Sequence, residues 1–407
     1  MSAHQAETQT AAGAASQPPG RGQMVFTGMD RVLFGTPAAE AVASEAARLG
    51  ADRVFILAGG TLARETDAVR GVIAALGPRF AGLHDSMPAH SPREAVVACA
   101  NAARAAGCDL LVTVGGGSVT DGGKAVTICL EHDLTTPESM EPYRTTVDAD
   151  GKRHVPQYGA PKVRQICVPT TLSGGEFNPR AGVTDTSKRL KQSFMHPGII
   201  PVSVILDPAI TVHTPQWLWL STGIRAVDHA VETYCSIDSN PYTDGAALQA
   251  LRLLARGLPA SRRDPQDLAA RLDCLIGAWI SMTAIVSGTR MGASHAIGHI
   301  LGGSAGVPHG YTSCVMLPYV MAWNAASNSH RQHEIASTLG DATKPAGEQL
   351  DRFIAGLGLP RRLRDVGVVR DDLPRLAKNC MLDDWTFSNP RPIRSAGDVL
   401  PILETAW

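Results

Sequence analysis

The chain has 407 residues, 44% of them apolar and 18% charged, and carries a formal net charge of −1; that length exceeds one ordinary core and points to two domains. The near-neutral balance, without any block of like charges, argues against a grip on nucleic acid or on an anionic membrane surface. Eight cysteines scattered singly, none in a CxxC pair, exclude a disulfide frame or zinc ribbon and suit a reducing compartment.

In chain order, residues 1–23 are small, polar and Pro/Gly-containing, so a disordered tail is expected there. They lack the apolar stretch of a signal peptide, and no uninterrupted run of about 20 apolar residues suggests a membrane span. A cytoplasmic protein is the expectation. Pro37–Leu49 reads as a helix, and the run RVFILAGG from Arg53 reads as a buried parallel strand ending at Gly59 and Gly60. Pro92–Gly107 is an alanine-rich helix with proline in its first turn. The strand DLLVTV (Asp109–Val114), the turn GGGS (Gly115–Ser118) and a helix from Val119 to about Leu130 follow at once. Two more strands are predicted at Arg164–Pro169 and Val202–Leu206, with an irregular surface excursion over Pro137–Lys162. Beyond Pro215 the pattern is helical: Gln216–Ile237, Thr243–Leu258, Asp267–Gly288, Gly292–Leu301, Arg331–Leu339 and Gly347–Leu357. Residues 24–215 are therefore read as an α/β dinucleotide-binding domain and 216–407 as an all-helical substrate domain, with no internal repeat.

Strand, glycine turn and helix at GGGSVTDGGK make half of a nucleotide-binding βαβ unit. Gly115, Gly116 and Gly117 let the backbone approach a pyrophosphate, and the following helix offers free N–H groups. A glycine-rich turn alone could be only a tight turn. The second loop PTTLSGGE strengthens the phosphate reading, because Thr170, Thr171 and Ser173 bring hydroxyls to the end of another strand. At Gly59–Gly60 no carboxylate awaits a ribose 2′-hydroxyl and Arg64 follows, which favours NADPH or tolerance of both NADPH and NADH. The run GASHAIGHILGGSAGVPHG (Gly292–Gly310) places His295 and His299 one turn apart on a helix face. Gly302–Gly303 is expected to end that helix and let His309 fold back. A lone histidine is more often a satisfied core residue, but three among small apolar residues suggest a shared polar site.

Together GGGSVTDGGK, PTTLSGGE, DPAIT, TGIRAVDHAVE and the histidine run resemble the iron-containing alcohol dehydrogenase family. The resemblance implies an α/β nucleotide-binding domain and an all-α domain, an architecture shared with dehydroquinate synthases, with the active site in the cleft between them. It places Gly115, Gly116, Gly117, Ser118 and Asp121 on the family's cofactor motif, Thr170 and Thr171 on its second nucleotide loop, and implies a homodimer. The family's metal ligands, an Asp and three histidines, fall on His229, His295 and His309, but the Asp position holds Arg225. A dication about 4 Å from a guanidinium is opposed by roughly 8 kcal/mol at an effective dielectric of about 20. Neither Asp228, about 100° around the helix from His229, nor Glu232 is expected to replace the missing ligand.

Within the family the chain is similar to the maleylacetate reductase branch, through MPAHSPREAV, VPTTLSGGE and LKQSFMHPGIIPVSVILDP. KRLKQSF (Lys188–Phe194) and the long 137–162 excursion depart from that branch. The expectation is a metal-independent reductase of a small anionic oxo-acid or enoate, with Arg225 and Lys191 holding a carboxylate or oxyanion. His229, His295 and His309 would add donors, and His299 would deliver the proton. Alternatives are a metal-dependent alcohol dehydrogenase or aldehyde reductase using His229, His295 and His309 as ligands, a dehydroquinate-synthase-like lyase, and a catalytically decayed nucleotide-binding protein.

Overall fold

The computed structural model describes residues 24–148, 153–188 and 190–407, so the tail expected over 1–23 lies outside the described residues. Among the described residues, ten strands and thirteen α-helices follow in order. They are β1 (Arg31–Phe34), α1 (Ala38–Arg48), β2 (Val54–Ala58), α2 (Gly60–Glu65), α3 (Ala68–Leu76), β3 (Phe80–His84), α4 (Arg93–Ala105), β4 (Leu110–Gly115) and α5 (Gly117–Glu131). Next come β5 (Thr146–Val147), β6 (Arg153–His154), β7 (Arg164–Pro169), β8 (Arg180–Asp185), β9 (Leu190–Met195) and β10 (Ser203–Leu206). The rest is helical: α6 (Gln216–Cys235), α7 (Pro241–Arg263), α8 (Leu268–Val286), α9 (Ala293–Ala305), α10 (His309–Thr338), α11 (Ala346–Gly356), α12 (Leu373–Cys380) and α13 (Ala396–Ala406).

The principal sheet is parallel, in the order β1-β10-β7-β4-β2-β3. Its central strands read VFILA and LLVTVG and are buried along their whole length, as strands covered on both faces must be. One apolar layer joins the sheet to α1 and α3, and another joins it to α4 and α5. The chain steps from β2 to β3 on one side and then to β4 on the other, so strand order reverses between β2 and β4. Ligands of open α/β sheets bind at the carboxyl ends of the strands at such a reversal. There Gly59 N–H donates to Val114 O (3.0 Å) and Thr170 N–H to Gly115 O (3.0 Å), which levels the loops after β2, β4 and β7.

The core of the helical half gathers α6, α7, α8 and α10, and takes in Cys167, Leu172, Val204 and Leu206 from the sheet side. α8 is long and apolar enough to cross a membrane by length and composition, yet it carries Arg271 and Asp273 and half of its most apolar window is buried within the protein.

Several elements depart from the sequence reading. β1 and β3 are edge strands, too short and too exposed to show a buried apolar run. β8 and β9 form an antiparallel hairpin that includes part of the Lys188–Phe194 stretch. The 137–162 excursion carries a 3₁₀ turn (Glu138–Tyr143) and the small β5–β6 pair. Gly302–Gly303 does not end α9. The helix continues to Ala305 and stops at Gly306, whose left-handed backbone (φ 68°, ψ 17°) is what a helix C-terminus needs. Arg331–Leu339 is the tail of the longer α10, kinked at Asn328 (φ −142°, ψ 33°).

Candidate active site

The glycine turn between β4 and α5 is shaped by close packing. A Cβ at Gly115 would sit 2.8 Å from Val119 Cγ2, one at Gly116 3.0 Å from Thr171 Cγ2, and one at Gly117 3.2 Å from Ser173 Oγ. Thr170 and Thr171 are buried, and the buried Ser173 Oγ has no hydrogen-bond partner among the described residues. The first N–H groups of α5 have no acceptor within the helix. A pyrophosphate fits these donors, so Gly115, Gly116, Gly117, Ser118, Thr170, Thr171 and Ser173 would hold a dinucleotide. Two motif residues also brace the fold: Ser118 Oγ accepts from His90 N–H (3.0 Å), and Asp121 Oδ2 accepts from Gly182 N–H (3.0 Å).

The loop after β7 carries this site toward the helical half. Gly174 adopts a left-handed conformation (φ 71°), and a Cβ there would lie 3.8 Å from His229 Cε1. His229 rises from α6 and stacks on His295 of α9, ring centroids 4.9 Å apart. His299, one turn further along α9, lies parallel to His309 at the start of α10, centroids 6.4 Å apart. A Cβ at Gly310 would fall 2.4 Å from Ser221 Oγ, so glycine lets the first turn of α10 press against α6. The four imidazoles singled out by the sequence thus lie together.

Arg225 is buried, not a surface helix residue. Its Nη1 donates to Ser313 Oγ (3.3 Å), and Gly298 leaves the room: a Cβ there would lie 3.3 Å from Nη1. The charges acting on it are those of Asp228, Glu232 and Asp383. Lys191, on β9, is exposed, and its positive charge reaches His309.

Asp228 and Glu232 are engaged within the protein. Both turn toward His295, whose Nδ1 lies 2.8 Å from Glu232 Oε2 and 3.4 Å from Asp228 Oδ2. Glu232 also accepts the N–H groups of Gly292, Ser294 and His295, capping the start of α9, and Asp228 accepts from Ser294 Oγ. Burial and Arg225 oppose a charged His295, but Asp228 and Glu232 outweigh them and its pKa is raised. With Nδ1 facing the carboxylates, the buried Nε2 has no partner among the described residues and is the outward donor. Burial and the His295 and Arg225 charges hold His229 well below the usual range, and Arg225, with burial and Lys191, does the same to His309.

Three contributors left no legible signal in the sequence. Asp383 Oδ2 accepts from His299 Nδ1 (2.9 Å) across 84 residues of chain. Trp385 packs 5.2 Å from the His299 ring and 6.0 Å from His295. Arg180, on β8, is within electrostatic reach of both Asp121 and Asp383, and its Nε donates to Ser193 Oγ (2.9 Å). Burial drives the His299 pKa down to about 4 despite Asp383. The ring is therefore neutral near pH 7, with its proton on Nδ1.

The donor set does not fit a divalent cation held among the imidazoles. A buried guanidinium stands beside them, and the nearest carboxylates are already committed, Asp228 and Glu232 to His295 and Asp383 to His299. Asp228, Glu232 and His295 bring ligand atoms within 4.8 Å of one another, but they are wholly enclosed and engaged with the start of α9.

Comparison with known proteins agrees with this architecture. The family described as "Iron-containing alcohol dehydrogenase" matches residues 30–208, and "Fe-containing alcohol dehydrogenase family, C-terminal" matches 219–407. The chain belongs to the iron-containing alcohol dehydrogenase family and is an NAD(P)-dependent oxidoreductase. Within that family it falls in the maleylacetate reductase branch. It is 33% identical over 377 residues to maleylacetate reductase of Rhizobium sp. (strain MTP-10005), covering 93% of this chain and 95% of that protein. A crystal structure of maleylacetate reductase from the same strain superposes with a TM-score of 0.79 at 30% identity, covering 95% and 98% of the two chains. A 1,3-propanediol oxidoreductase structure gives a TM-score of 0.85 at 27% identity, covering 95% and 100%.

Proposed function

We propose that this chain is a metal-independent reductase of a small dianionic unsaturated oxo-acid, of the class of maleylacetate, using NADPH or NADH. The observation that carries the reading is Arg225: a buried guanidinium at the position of the family's metal-binding Asp, beside His295, whose pKa Asp228 and Glu232 raise. The bound dinucleotide would supply a hydride to the alkene carbon conjugated with the ketone. The C=C electron pair then moves toward the carbonyl, and negative charge collects on the ketone oxygen. Arg225 and His295 Nε2–H face that charge as fixed donors. The planar fork of Arg225 also suits a substrate carboxylate, and Lys191 adds attraction at the cleft mouth. His229 and His309, both neutral, add hydrogen bonds. His299, oriented by Asp383, carries the proton to the adjacent carbon. A dianion beside its ring raises its depressed pKa, so the proton enters with the substrate. The product of maleylacetate would be 3-oxoadipate, placing the enzyme in the breakdown of aromatic compounds. A homodimer is the assembly proposed, and light scattering tests it.

Arg225→Met tests the reading. It keeps the bulk and removes the charge, and the Michaelis constant for the oxo-diacid should rise by roughly tenfold or more, equivalent to about 1.4 kcal/mol. Unchanged kinetics, or one iron or zinc per chain with activity abolished by a chelator, would sink it in favour of metal-dependent carbonyl reduction.

A further inference from the structure

The direction in which a dinucleotide must lie follows from the sheet. Its pyrophosphate belongs on the turn after β4, and its nicotinamide must reach the imidazoles. That route runs over β7, whose loop residue Gly174 abuts His229. The adenosine half is then forced the opposite way, over the carboxyl ends of β2 and β3. The sheet order β4-β2-β3 leaves no other neighbour on that side.

At that place β2 is followed by Gly59 and Gly60, with no side chain to meet a ribose. β3 pairs with β2 so that His84 stands level with Leu57, which brings the next residue, Asp85, beside the start of the Gly59 loop. Arg64 Nη1 donates to both Asp85 Oδ2 (3.2 Å) and Asp85 O (3.3 Å). The guanidinium lies against Gly60: a Cβ there would fall 2.3 Å from Nη2 and 2.9 Å from Asp85 O. Nε and Nη2 make no hydrogen bond among the described residues, and the Arg64 side chain is 61% exposed. An ordinary exposed ion pair would contribute little to stability. This one is placed where the ribose 2′ substituent must sit, and it presents both signs of charge.

We infer that Arg64 and Asp85 together read the ribose 2′ position, resting on the nicotinamide cofactor assigned to the site above. The carboxylate accepts from the 2′-hydroxyl of NADH and repels a 2′-phosphate, and the guanidinium offers its unused N–H groups to that phosphate. Because each holds the other, neither dominates, and the paired site takes both cofactors. Removing one partner tips the choice.

The test is direct titration of NADPH and NADH by nucleotide fluorescence, without substrate, on wild type, Arg64→Gln and Asp85→Asn. ADP-ribose and 2′-phospho-ADP-ribose, titrated by calorimetry, isolate the adenosine half. Arg64→Gln should weaken NADPH and 2′-phospho-ADP-ribose at least tenfold and leave NADH within about threefold. Asp85→Asn should do the reverse, tightening NADPH and weakening NADH several-fold. Retained NADH binding by Arg64→Gln serves as the folding control. Equal changes for both cofactors, or none, would overturn this assignment while leaving the reductase reading intact. A wild-type protein that binds neither dinucleotide would remove both.

Discussion

The two halves of the cleft are built on opposite principles. On the sheet side the proposed ligand would be met by main chain, and the side chains around Gly115–Gly117 chiefly keep out of the way. On the helical side it would be met by imidazole and guanidinium groups from α6, α9 and α10, with a carboxylate from the segment after α12 behind them. A backbone site tolerates little change of shape, whereas a side-chain site can exchange one charge for another on an unchanged fold. Arg225 in place of a carboxylate is such an exchange.

Breaking a brace inside the sheet side should have the largest effect. Lys124, on α5, is wholly buried, and its Nζ donates to Arg180 O (2.7 Å) and to Gly175 O. It thereby fastens the glycine-turn helix to the segment that leads into the β8–β9 hairpin. Burial lowers its pKa, and burial raises that of neighbouring Glu176 to about 7. Lys124→Met should cost about 3–5 kcal/mol of unfolding free energy, the usual penalty for removing one member of a buried charged set. Glu176 has a folded pKa above its unfolded value, so stability falls as pH rises from the ordinary carboxylate range toward 7. Without Lys124 that fall should extend to higher pH. Urea denaturation between pH 5 and 8 checks this, and a deficit independent of pH would show that Glu176 is not coupled to the lysine.

That contrast also explains what could be read in advance. β2, β4, β7, β10 and the glycine turn are local: a few consecutive residues specify each of them. Fold class and the positions of the glycine-rich loops after β4 and β7 were legible for that reason. The grouping of His295, His299 and His309 could be anticipated from their spacing among small residues, and the addition of His229 only through the family resemblance. Asp383 and Trp385 could not, because LDDWTF has no periodicity that sets it apart from other polar loops. The turning of Asp228 and Glu232 toward His295 was also hidden. It depends on where α9 begins, and so on Gly292, where a Cβ would sit 2.9 Å from Glu232 Oε1. The edge strands were missed because exposure on one side removes the apolar run that marks a central strand.

An intermediate effect should sharpen the side-chain half. Asp383→Asn keeps the shape but removes the charge and the acceptor that fix His299 Nδ1–H. kcat should fall by roughly 10- to 100-fold, about 1.4–2.7 kcal/mol of barrier. Asp383 raises the His299 pKa against burial, so its loss lowers that pKa further. A protonated donor is present below its pKa, so the alkaline limb of kcat should move to lower pH. A simple packing defect would lower kcat without moving the limb.

The smallest change tests whether the guanidinium position is finely set. Gly298 lies on α9 where the helix passes over Arg225, and an added methyl would sit 3.3 Å from Nη1 and 3.1 Å from Thr312 Oγ1. Such spacing is tight but not forbidding, and Gly298→Ala also improves helix propensity by ~1 kcal/mol. The variant should therefore be as stable as wild type or slightly more so. If Arg225 must lie where it does to hold an oxyanion, the displacement of a few tenths of an ångström should still raise the Michaelis constant for the oxo-diacid about threefold, with NADH affinity unchanged. Equal kinetics in a stabilised protein would mean that the charge of Arg225 matters and its exact placement does not. The helical side would then work as a field, and only the sheet side as a template.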